Sequence, residues 1–409
     1  MGARIMGLLI VPNTHKPLLR RITLTNLLSF GPEPMTLELE KLNILIGPNG
    51  SGKSNLIEAI SLLRATPVSG SGSDRDLHGV VRRGGGVGEW IWKGGAEKPA
   101  SLEAVINRSD GDGSLSHFVS FGDEFRRFRL EDERIENRPD EYDPQEGFFY
   151  KVHRGQPVVN TAGKYERNWA IGKFEPELSI LAQLRHLGQA PELSALADKY
   201  EQIRIYRDWA FGRNSKLREP QRGDDRSDRL EEDFSNLGLT LSRLRKSPKV
   251  KAAILGSLKD LYEGLDDFDV HIQAAYVEIF FTEGDFSVPA IRLSDGTLRY
   301  LCLLAILCDP DPPPLICIEE PELGLHPDIL PNLADLLVEA SQRTQLIVTT
   351  HSDILVDAMT ERPEAVVICE KHNGRTSLSR LERADLAVWL DKYRLGQLWM
   401  RGQLGGTRW

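Results

Sequence analysis

The feature that most constrains this chain is a glycine-rich stretch between an apolar strand and an amphipathic helix. It runs from Gly47 to Ser54, fits the pattern G-x-x-x-x-G-K-[ST] and follows the apolar run LNILI. Glycines in such a loop let backbone N–H groups face phosphate oxygens at a helix N-terminus, where the helix dipole favours negative charge. We expect the Lys53 ammonium to reach the β- and γ-phosphates of a nucleotide and the Ser54 hydroxyl to bind Mg²⁺.

The motif and its position between strand and helix predict an α/β nucleotide-binding core. A glycine-rich turn that merely joins strand to helix is the weaker alternative, because the whole pattern is present in the expected context. The predicted nucleotide contacts are Gly47, Pro48, Asn49, Gly50, Ser51, Gly52, Lys53, Ser54 and Asn55.

Composition limits the classes of protein that fit. The chain has 409 residues and a net charge of −9, so it can form one large domain or two modest ones without a general positive potential. No apolar run approaches the roughly 20 residues that span a bilayer, and IMGLLIVP is short for a secretory signal. We expect a soluble cytoplasmic protein without membrane contacts. Single cysteines in apolar runs indicate buried thiols: Cys302, Cys308, Cys317 and Cys369.

Two adjacent carboxylates follow a second apolar strand, in the stretch PPPLICIEEPELGLHP. Because side chains alternate along an extended chain, Glu319 and Glu320 point in different directions and can take different roles. We assign Glu319 to Mg²⁺ and Glu320 to the attacking water. A third apolar strand, QLIVTT, ends at His351, which we expect to reach a γ-phosphate. Taken alone, a histidine after a strand is more often structural.

A short polar motif, LSDGT, precedes the acidic strand and opens a helix with an apolar face. Ser294 or Asp295 can cap this helix, so by itself the motif indicates only a capped, buried helix. The order of the motifs says more than this one motif. Along the chain come the glycine-rich loop, then L-S-x-G, then the paired carboxylates, then the histidine.

In this order the motifs resemble those of ABC-type ATPases, specifically the RecF/SMC-like and overcoming-lysogenization-defect-like branch of bacterial ATPases. The matching stretches are Gly47 to Ser54 for Walker A, Leu293 to Thr297 for the signature, Glu319 and Glu320 for Walker B with its catalytic glutamate, Pro321 to His326 for the D-loop and His351 for the switch histidine. The resemblance implies ATP and Mg²⁺ as cofactors. The catalytic residues would be Lys53, Glu320 and His351.

The resemblance also implies a homodimer, in which Ser294 and Gly296 of one subunit complete the ATP site of the other. Two residues depart from the family pattern. Glu319 stands where Walker B usually has an aspartate, which leaves the hydrolysis rate open. Asp295 places a carboxylate where the γ-phosphate bound to the partner would lie, which leaves open how tightly two subunits close around ATP.

Sequence pattern and resemblance together predict four parts. These are residues 18–175, the N-terminal part of the ATPase core with the P-loop and a β lobe; 176–265, a helical lobe; 266–380, the C-terminal part of the core with the signature, Walker B and the switch histidine; and 381–409, a tail. Short alternating runs between 69 and 169 predict the antiparallel strands of the β lobe. Gln183, near the lobe junction, is a candidate for the Q-loop glutamine that senses Mg²⁺; otherwise it is a solvated helix residue.

Basic residues cluster twice in the predicted helical lobe. The first cluster is interleaved with acids, which favours a salt-bridged solvated face. Its basic residues are Arg204, Arg207, Arg213, Lys216, Arg218 and Arg222. The second, RLRKSPKVK, is less neutralised and is the better candidate for a local patch that binds DNA or RNA phosphates. Its basic residues are Arg243, Arg245, Lys246, Lys249 and Lys251.

The sequence contains few signals for the molecule on which the ATPase acts. Glu370 after AVVIC resembles the first acid of a Toprim nuclease domain, but Asp385 and Asp391 do not form the D-x-D pair, so we expect no Toprim domain. The resemblance implies that the ATPase acts in DNA repair or anti-phage defence, either by controlling a separate effector, Toprim-like or another nuclease, or by engaging nucleic acid itself. The alternative is the ATPase subunit of a transporter. The amphipathic tail favours internal docking over partner binding.

Overall fold

The computed structural model describes residues 16–406, except 70–73, 95–98, 109–112, 126, 139–147, 154–155, 162–163, 167–174, 176, 185–190, 213–214 and 274. The strands are β1 (Leu19–Thr25), β2 (Met35–Glu38), β3 (Leu42–Ile46), β4 (Ala100–Asn107), β5 (Ser114–Glu124), β6 (Arg127–Arg138), β7 (Phe148–His153), β8 (Gln156–Thr161), β9 (Lys164–Glu166), β10 (Arg204–Tyr206), β11 (Gln221–Arg222), β12 (Asp267–Gln273), β13 (Tyr276–Glu283), β14 (Phe286–Pro289), β15 (Leu315–Glu319), β16 (Gln345–Thr349), β17 (Val366–His372) and β18 (Arg375–Arg380). The helices are α1 (Lys53–Ala65), α2 (Leu77–Arg83), α3 (Val87–Trp90), α4 (Ile180–Leu184), α5 (Pro191–Glu201), α6 (Leu237–Leu244), α7 (Pro248–Leu261), α8 (Asp295–Leu307), α9 (Leu330–Ala340), α10 (Asp353–Asp357), α11 (Arg383–Leu390) and α12 (Leu395–Met400).

A six-stranded sheet in the order β10-β15-β16-β3-β17-β18 forms the centre of the fold. Its strands pair in parallel, except that β18 runs antiparallel to β17. Every residue of β3 and β16 is buried, as expected of parallel strands that are covered on both faces. Because parallel strands end at the same edge, the segments that follow β3, β15 and β16 meet there.

Helices cover both faces of this sheet. On one face, alternate residues such as Ile44 and Ile316 pack with the apolar sides of α8 and α9. On the other face, Leu45 and Cys317 pack with α1 and α5. The alternation that buries every strand residue therefore divides the interior into two hydrophobic clusters, one on each side of the sheet. All four cysteines are buried free thiols, as predicted.

An antiparallel sheet of eight strands, in the order β2-β1-β4-β5-β6-β7-β8-β9, lies beside the core. It confirms the β lobe that the alternating runs between 69 and 169 predicted. The lobe also includes β1 and β2, which precede the P-loop and lead directly into β3. Strands β1 and β2 thus belong to the lobe and also form the approach to the central sheet.

A buried polar cluster fastens the β lobe to α4 and α5. The His117 ring lies with Nδ1 3.2 Å from Tyr200 Oη and Nε2 3.1 Å from Glu133 Oε1. The same carboxylate accepts hydrogen bonds from Ser179 Oγ at 2.6 Å and from the backbone N–H of Ile180 at 2.8 Å. Buried polar groups are tolerated when they are hydrogen-bonded, as these are. The cluster is therefore a structural junction.

The segment 176–265, predicted as a helical lobe, contains short strands as well as helices. It contains α4 to α7, but it also contributes β10, which forms the edge of the central sheet beside β15. Helix α5 packs on α1 of the core, whereas α6 and α7 pack on α8. A strand as short as β10 shows no periodicity, so the sequence pattern does not predict it. The helices of this segment thus divide between the core and the signature helix.

The tail docks on the core, in agreement with the favoured sequence prediction. Leu395, Leu398 and Trp399 of α12 are buried, and α12 packs on α10. The backbone N–H of Gly406 donates to Glu370 Oε1 at 2.8 Å. Among the residues described above, no helix is both long and apolar enough to cross a bilayer.

Candidate active site

The loop between β3 and α1 closes tightly against β17 and β18. Gly47 and Gly52 have φ angles of +148° and +107°, which disfavour other residues. A Cβ at Gly47 would lie 2.2 Å from the carbonyl oxygen of Cys369, and one at Gly52 would lie 2.3 Å from Thr376 Oγ1. Both glycines are therefore required by backbone conformation and by packing, and the loop leads into the N-terminus of α1.

Lys53 lies in the first turn of α1 and is only 6% exposed. Its ammonium donates to the carbonyl oxygens of Gly47 at 2.9 Å and Pro48 at 3.2 Å, so the side chain curls back over the loop. Burial lowers the pKa of Lys53, and nearby acidic groups, including Glu320 and Glu319, oppose that shift. The cation thus lies at the loop, close to the carboxylates that follow β15.

Ser54 and Glu319 meet across the edge of the sheet, with Ser54 Oγ donating to Glu319 Oε2 at 3.0 Å. The other oxygen, Oε1, is buried without a hydrogen-bond partner, and Arg207 Nε lies 3.7 Å from it. Burial raises the pKa of Glu319, while the Arg207 guanidinium and the Ser54 hydroxyl oppose the rise. A hydroxyl beside a carboxylate with a free, buried oxygen fits the oxygen ligands that Mg²⁺ prefers. Glu319, one methylene longer than the usual aspartate, thus contacts the Ser54 hydroxyl directly.

Glu320 turns away from Glu319 because its backbone adopts a left-handed conformation, with φ +45°. Its N–H donates to the carbonyl oxygen of Thr349 at 3.0 Å, which ties the end of β15 to β16. Glu320 Oε1 lies 3.7 Å from His351 Nε2. Burial, and then Lys53, lower the pKa of His351, with Glu320 acting in the opposite direction. The predicted catalytic pair is thus brought together, with the imidazole favoured in its neutral form.

Glu322 is a site residue that the sequence did not single out. Its Oε1 accepts hydrogen bonds from Thr350 Oγ1 and from the backbone N–H of His351, both at 2.7 Å. Burial raises its pKa, and these two hydrogen bonds oppose the rise. The carboxylate therefore fixes the backbone that carries the switch histidine. The sequence places this acid three residues after the end of β15 but does not reveal its contacts with Thr350 and His351.

The signature motif lies at the start of α8, where Ser294 Oγ accepts from the backbone N–H of Thr297 at 3.0 Å as an N-cap. A Cβ at Gly296 would lie 2.7 Å from the carbonyl oxygen of Gly324, so the motif packs closely on the D-loop. Asp295 pairs with Arg218, whose Nη2 lies 2.5 Å from Asp295 Oδ1. The carboxylate that seemed out of place in the motif therefore has a cationic partner in its own chain.

Gln183 is engaged elsewhere. Its amide exchanges hydrogen bonds with the backbone of Glu175, both at 3.0 Å, and donates to the carbonyl oxygen of Leu178 at 2.8 Å. These bonds fasten the turn before α4. Arg207, which follows the edge strand β10 and pairs with Glu58 of α1, lies beside Glu319 instead. A role for Gln183 toward Mg²⁺ thus stays a prediction, and no contact described here supports it.

The candidate nucleic-acid patch is largely neutralised. Arg243 pairs with Asp309, Arg245 with Asp269 and Lys251 with Asp267. The remaining two basic side chains, Lys246 and Lys249, are exposed. The first basic cluster is salt-bridged as expected, for example between Arg222 and Asp224. The positive potential available for phosphate binding is therefore smaller than the sequence suggested.

A cleft of about 620 Å³ opens beside the first turn of α1. Asn55, whose Nδ2 donates to Ser29 Oγ at 2.6 Å, lies at one end of it. Trp92, Lys371 and Arg375 line its other walls, and the Arg375 guanidinium lies 5.3 Å from the centre of the Trp92 ring. The cleft therefore combines an aromatic surface with cationic side chains next to the predicted phosphate loop.

Fold and site together define a P-loop ATPase, and its architecture is similar to that of ABC-type ATPases of the RecF/SMC-like branch. A family model described as "AAA domain, putative AbiEii toxin, Type IV TA system" matches residues 42–357, and the chain belongs to this family. The matched region begins at β3 and extends past the switch histidine to the end of α10. It thus contains every motif of the site.

Curated relatives include the DNA replication and repair protein RecF of Rhizobium etli (strain CFN 42), which is 24% identical over 290 residues. That alignment covers 69% of this chain, and the chain spans 65% of that relative's length. RecF of Rhizobium etli (strain CIAT 652) is 24% identical over 296 residues, covering 71% of this chain and 67% of the relative.

Solved structures with a similar fold include SMC heads. The Smc head bound to the C-winged helix domain of ScpA has a TM-score of 0.53 at 14% identity, covering 90% of this chain and 99% of that one. The Pyrococcus furiosus Smc head domain with an extended coiled coil, bound to the C-terminal domain of ScpA, has a TM-score of 0.51 at 14% identity, covering 92% and 99%. At this identity the likeness concerns the fold alone, and it confirms the predicted fold class.

Proposed function

We propose that this chain is a Mg²⁺-dependent ATPase that hydrolyses ATP at the edge of the central sheet. The observation that carries the proposal is the convergence of three strand ends, which brings Ser54 within 3.0 Å of Glu319 and Glu320 within 3.7 Å of His351. Each of these two contacts joins residues that are far apart in the sequence. A purely structural glycine turn would not need a carboxylate at the serine hydroxyl.

Each residue has a distinct task in the proposed reaction. Backbone N–H groups of the loop and the Lys53 ammonium bind the phosphates, and the nucleoside extends into the cleft beside Asn55. Ser54 and Glu319 would hold Mg²⁺, which neutralises charge on the phosphate oxygens when bound. Glu320 orients and deprotonates the attacking water. Neutral His351 donates a hydrogen bond toward the γ-phosphate, and Glu322 holds its backbone.

The test is phosphate release from ATP by the purified chain, with Mg²⁺ and with EDTA. We expect release that requires Mg²⁺ and is lost in Lys53→Ala, which removes the charge nearest the phosphates. Equal release with EDTA, or full activity in Lys53→Ala, would contradict the proposed site.

We further propose that ATP joins two copies of the chain. Ser294 and Gly296 stand at the exposed start of α8, where they can complete the ATP site of a second subunit under two-fold symmetry. Closure of the dimer on ATP would move the signature helix relative to the core. A partner protein that binds only the open or only the closed state would then be bound or released as ATP shifts the populations of the two states. RecF-like relatives favour a role in DNA repair; control of an effector nuclease in anti-phage defence is the second form of the same proposal. Isolation of the chain with its bound proteins, with and without ATP, tests both.

A further inference from the structure

The signature helix contacts the backbone of the catalytic acid directly. Arg299, on the second turn of α8, is only 6% exposed, and its Nη2 donates to the carbonyl oxygen of Glu320 at 2.7 Å. Its guanidinium carbon lies 4.4 Å from the centre of the Trp209 ring and 5.8 Å from that of Phe211. A buried arginine thus joins the helix that carries Ser294 and Gly296 to the end of β15.

Trp209 holds the preceding carbonyl. Its indole Nε1 donates to the carbonyl oxygen of Glu319 at 2.8 Å. The ring stacks on Phe234 with centroids 5.1 Å apart and on Phe211 with centroids 6.2 Å apart, so aromatic neighbours as well as Arg299 hold it in place. Two successive carbonyls, those of Glu319 and Glu320, are therefore each held by a donor, and the two donors stack on one another.

The backbone at Glu320 needs such support. A left-handed conformation is unfavourable for a residue other than glycine, and it persists only where surrounding contacts impose it. Thr349 fixes the N–H side of Glu320, and Arg299 fixes its carbonyl side. Rotation of this backbone would swing the carboxylate away from His351. Burial lowers the pKa of Arg299 to about 10, so it remains charged near neutral pH.

We propose that Arg299 and Trp209 are positioning residues that hold the backbone of Glu319 and Glu320 and so couple the signature helix to the acid that activates water. The inference rests on the proposed ATPase function. Because α8 starts where a second subunit's nucleotide would bind, movement of the helix reaches Glu320 through one hydrogen bond and one stacked pair. ATP sandwiched at the signature motif would then bias the geometry of hydrolysis in the same subunit.

Two conservative variants test the inference. Arg299→Lys keeps the positive charge but loses the planar surface that stacks on Trp209. Trp209→Phe keeps an aromatic ring but removes the donor to Glu319. We expect kcat to fall about tenfold or more in each, since a small misplacement of a catalytic group is costly, while the Kd for ATP changes less than about threefold.

Matched controls separate positioning from loss of packing. Arg343 is a largely buried arginine that donates to the carbonyl oxygens of Leu307 and Asp309, and Trp90 is a buried tryptophan that donates to Val81. Arg343→Lys and Trp90→Phe lose equivalent groups at a distance from the site, so kcat should stay within about twofold of the parent chain.

The outcomes are distinguishable. If Arg299→Lys and Trp209→Phe hydrolyse ATP at the parent rate, the coupling is wrong although the ATPase stands. If kcat falls equally in the control variants, or falls only together with ATP affinity and the unfolding midpoint, the contacts are structural and the coupling is again wrong. If the parent chain itself does not hydrolyse ATP, the proposed function fails first.

Discussion

Ser54 Oγ lies 3.0 Å from Glu319 Oε2, although 265 residues separate the two in the sequence. The contact brings the end of the phosphate loop to the end of β15 and leaves Glu319 Oε1 buried and open to a cation. A glutamate at a position that usually holds aspartate thus contacts the serine hydroxyl of the phosphate loop, as the proposed metal site requires.

Glu319→Gln should raise the Mg²⁺ concentration needed for half-maximal hydrolysis about tenfold or more, because a neutral amide replaces a charged ligand. The measurement is a Mg²⁺ titration of phosphate release at saturating ATP. Glu361→Gln, an exposed change, is the control. An unchanged Mg²⁺ requirement in Glu319→Gln would remove Glu319 from the metal site.

Hydrolysis should be independent of pH from about 6.5 through the neutral range and should decline as the pH falls below about 6.5. Burial and Lys53 lower the pKa of His351 beneath its ordinary value, so the ring is neutral throughout the neutral range and gains a proton only at lower pH. The protonated ring is disfavoured in the folded site, so any stability that the neutral ring contributes is also lost below that range. If kcat changes through pH 7 in the parent chain but not in His351→Gln, the assignment of a neutral His351 ring at neutral pH is contradicted.

Arg218→Gln should weaken ATP-dependent dimerisation, because it leaves Asp295 unpaired where the partner's γ-phosphate is expected. We expect the dimer Kd to rise about tenfold in the Glu320→Gln background, measured by light scattering at saturating ATP. A second change, Asp295→Asn, should restore it. If Glu320→Gln itself stays monomeric at concentrations far above micromolar, the dimer proposal is wrong.

Glu133→Gln should lower the free energy of unfolding by about 2–4 kcal/mol. The Glu133 carboxylate is a buried acceptor for His117, Ser179 and Ile180, and the substitution replaces one of its two oxygens by an NH₂ group, which donates and cannot accept. The urea midpoint reports this loss. Glu131→Gln on the same strand is exposed and should leave the midpoint within about 0.5 kcal/mol. Equal stability of the two variants would show that the junction is not needed.

The sequence predicted the parts of the site that lie in local motifs. The phosphate loop, Glu319, Glu320 and His351 each follow an apolar strand, and parallel pairing of those strands suffices to bring them together. The antiparallel lobe followed from alternating runs. These features depend on short-range pattern, which a single sequence displays.

Other features depend on contacts that the sequence does not display. Arg207 stands in a run of mixed charges and was read as part of a solvated face, yet β10 places it beside Glu319. Arg299 occupies an otherwise apolar helix and gains its meaning only from the Glu320 carbonyl. The left-handed backbone of Glu320 likewise arises from tertiary contacts.

The most direct test of the proposed ATPase is to incubate Glu320→Gln and the parent chain in separate reactions with ATP and Mg²⁺. Both the released phosphate and the ATP retained on the protein are then measured. The account predicts that Glu320→Gln binds ATP as tightly as the parent chain but releases phosphate about 10²–10⁴ times more slowly, as expected when a general base is removed. Hydrolysis by Glu320→Gln at the parent rate would contradict the account, because another group would then activate the water.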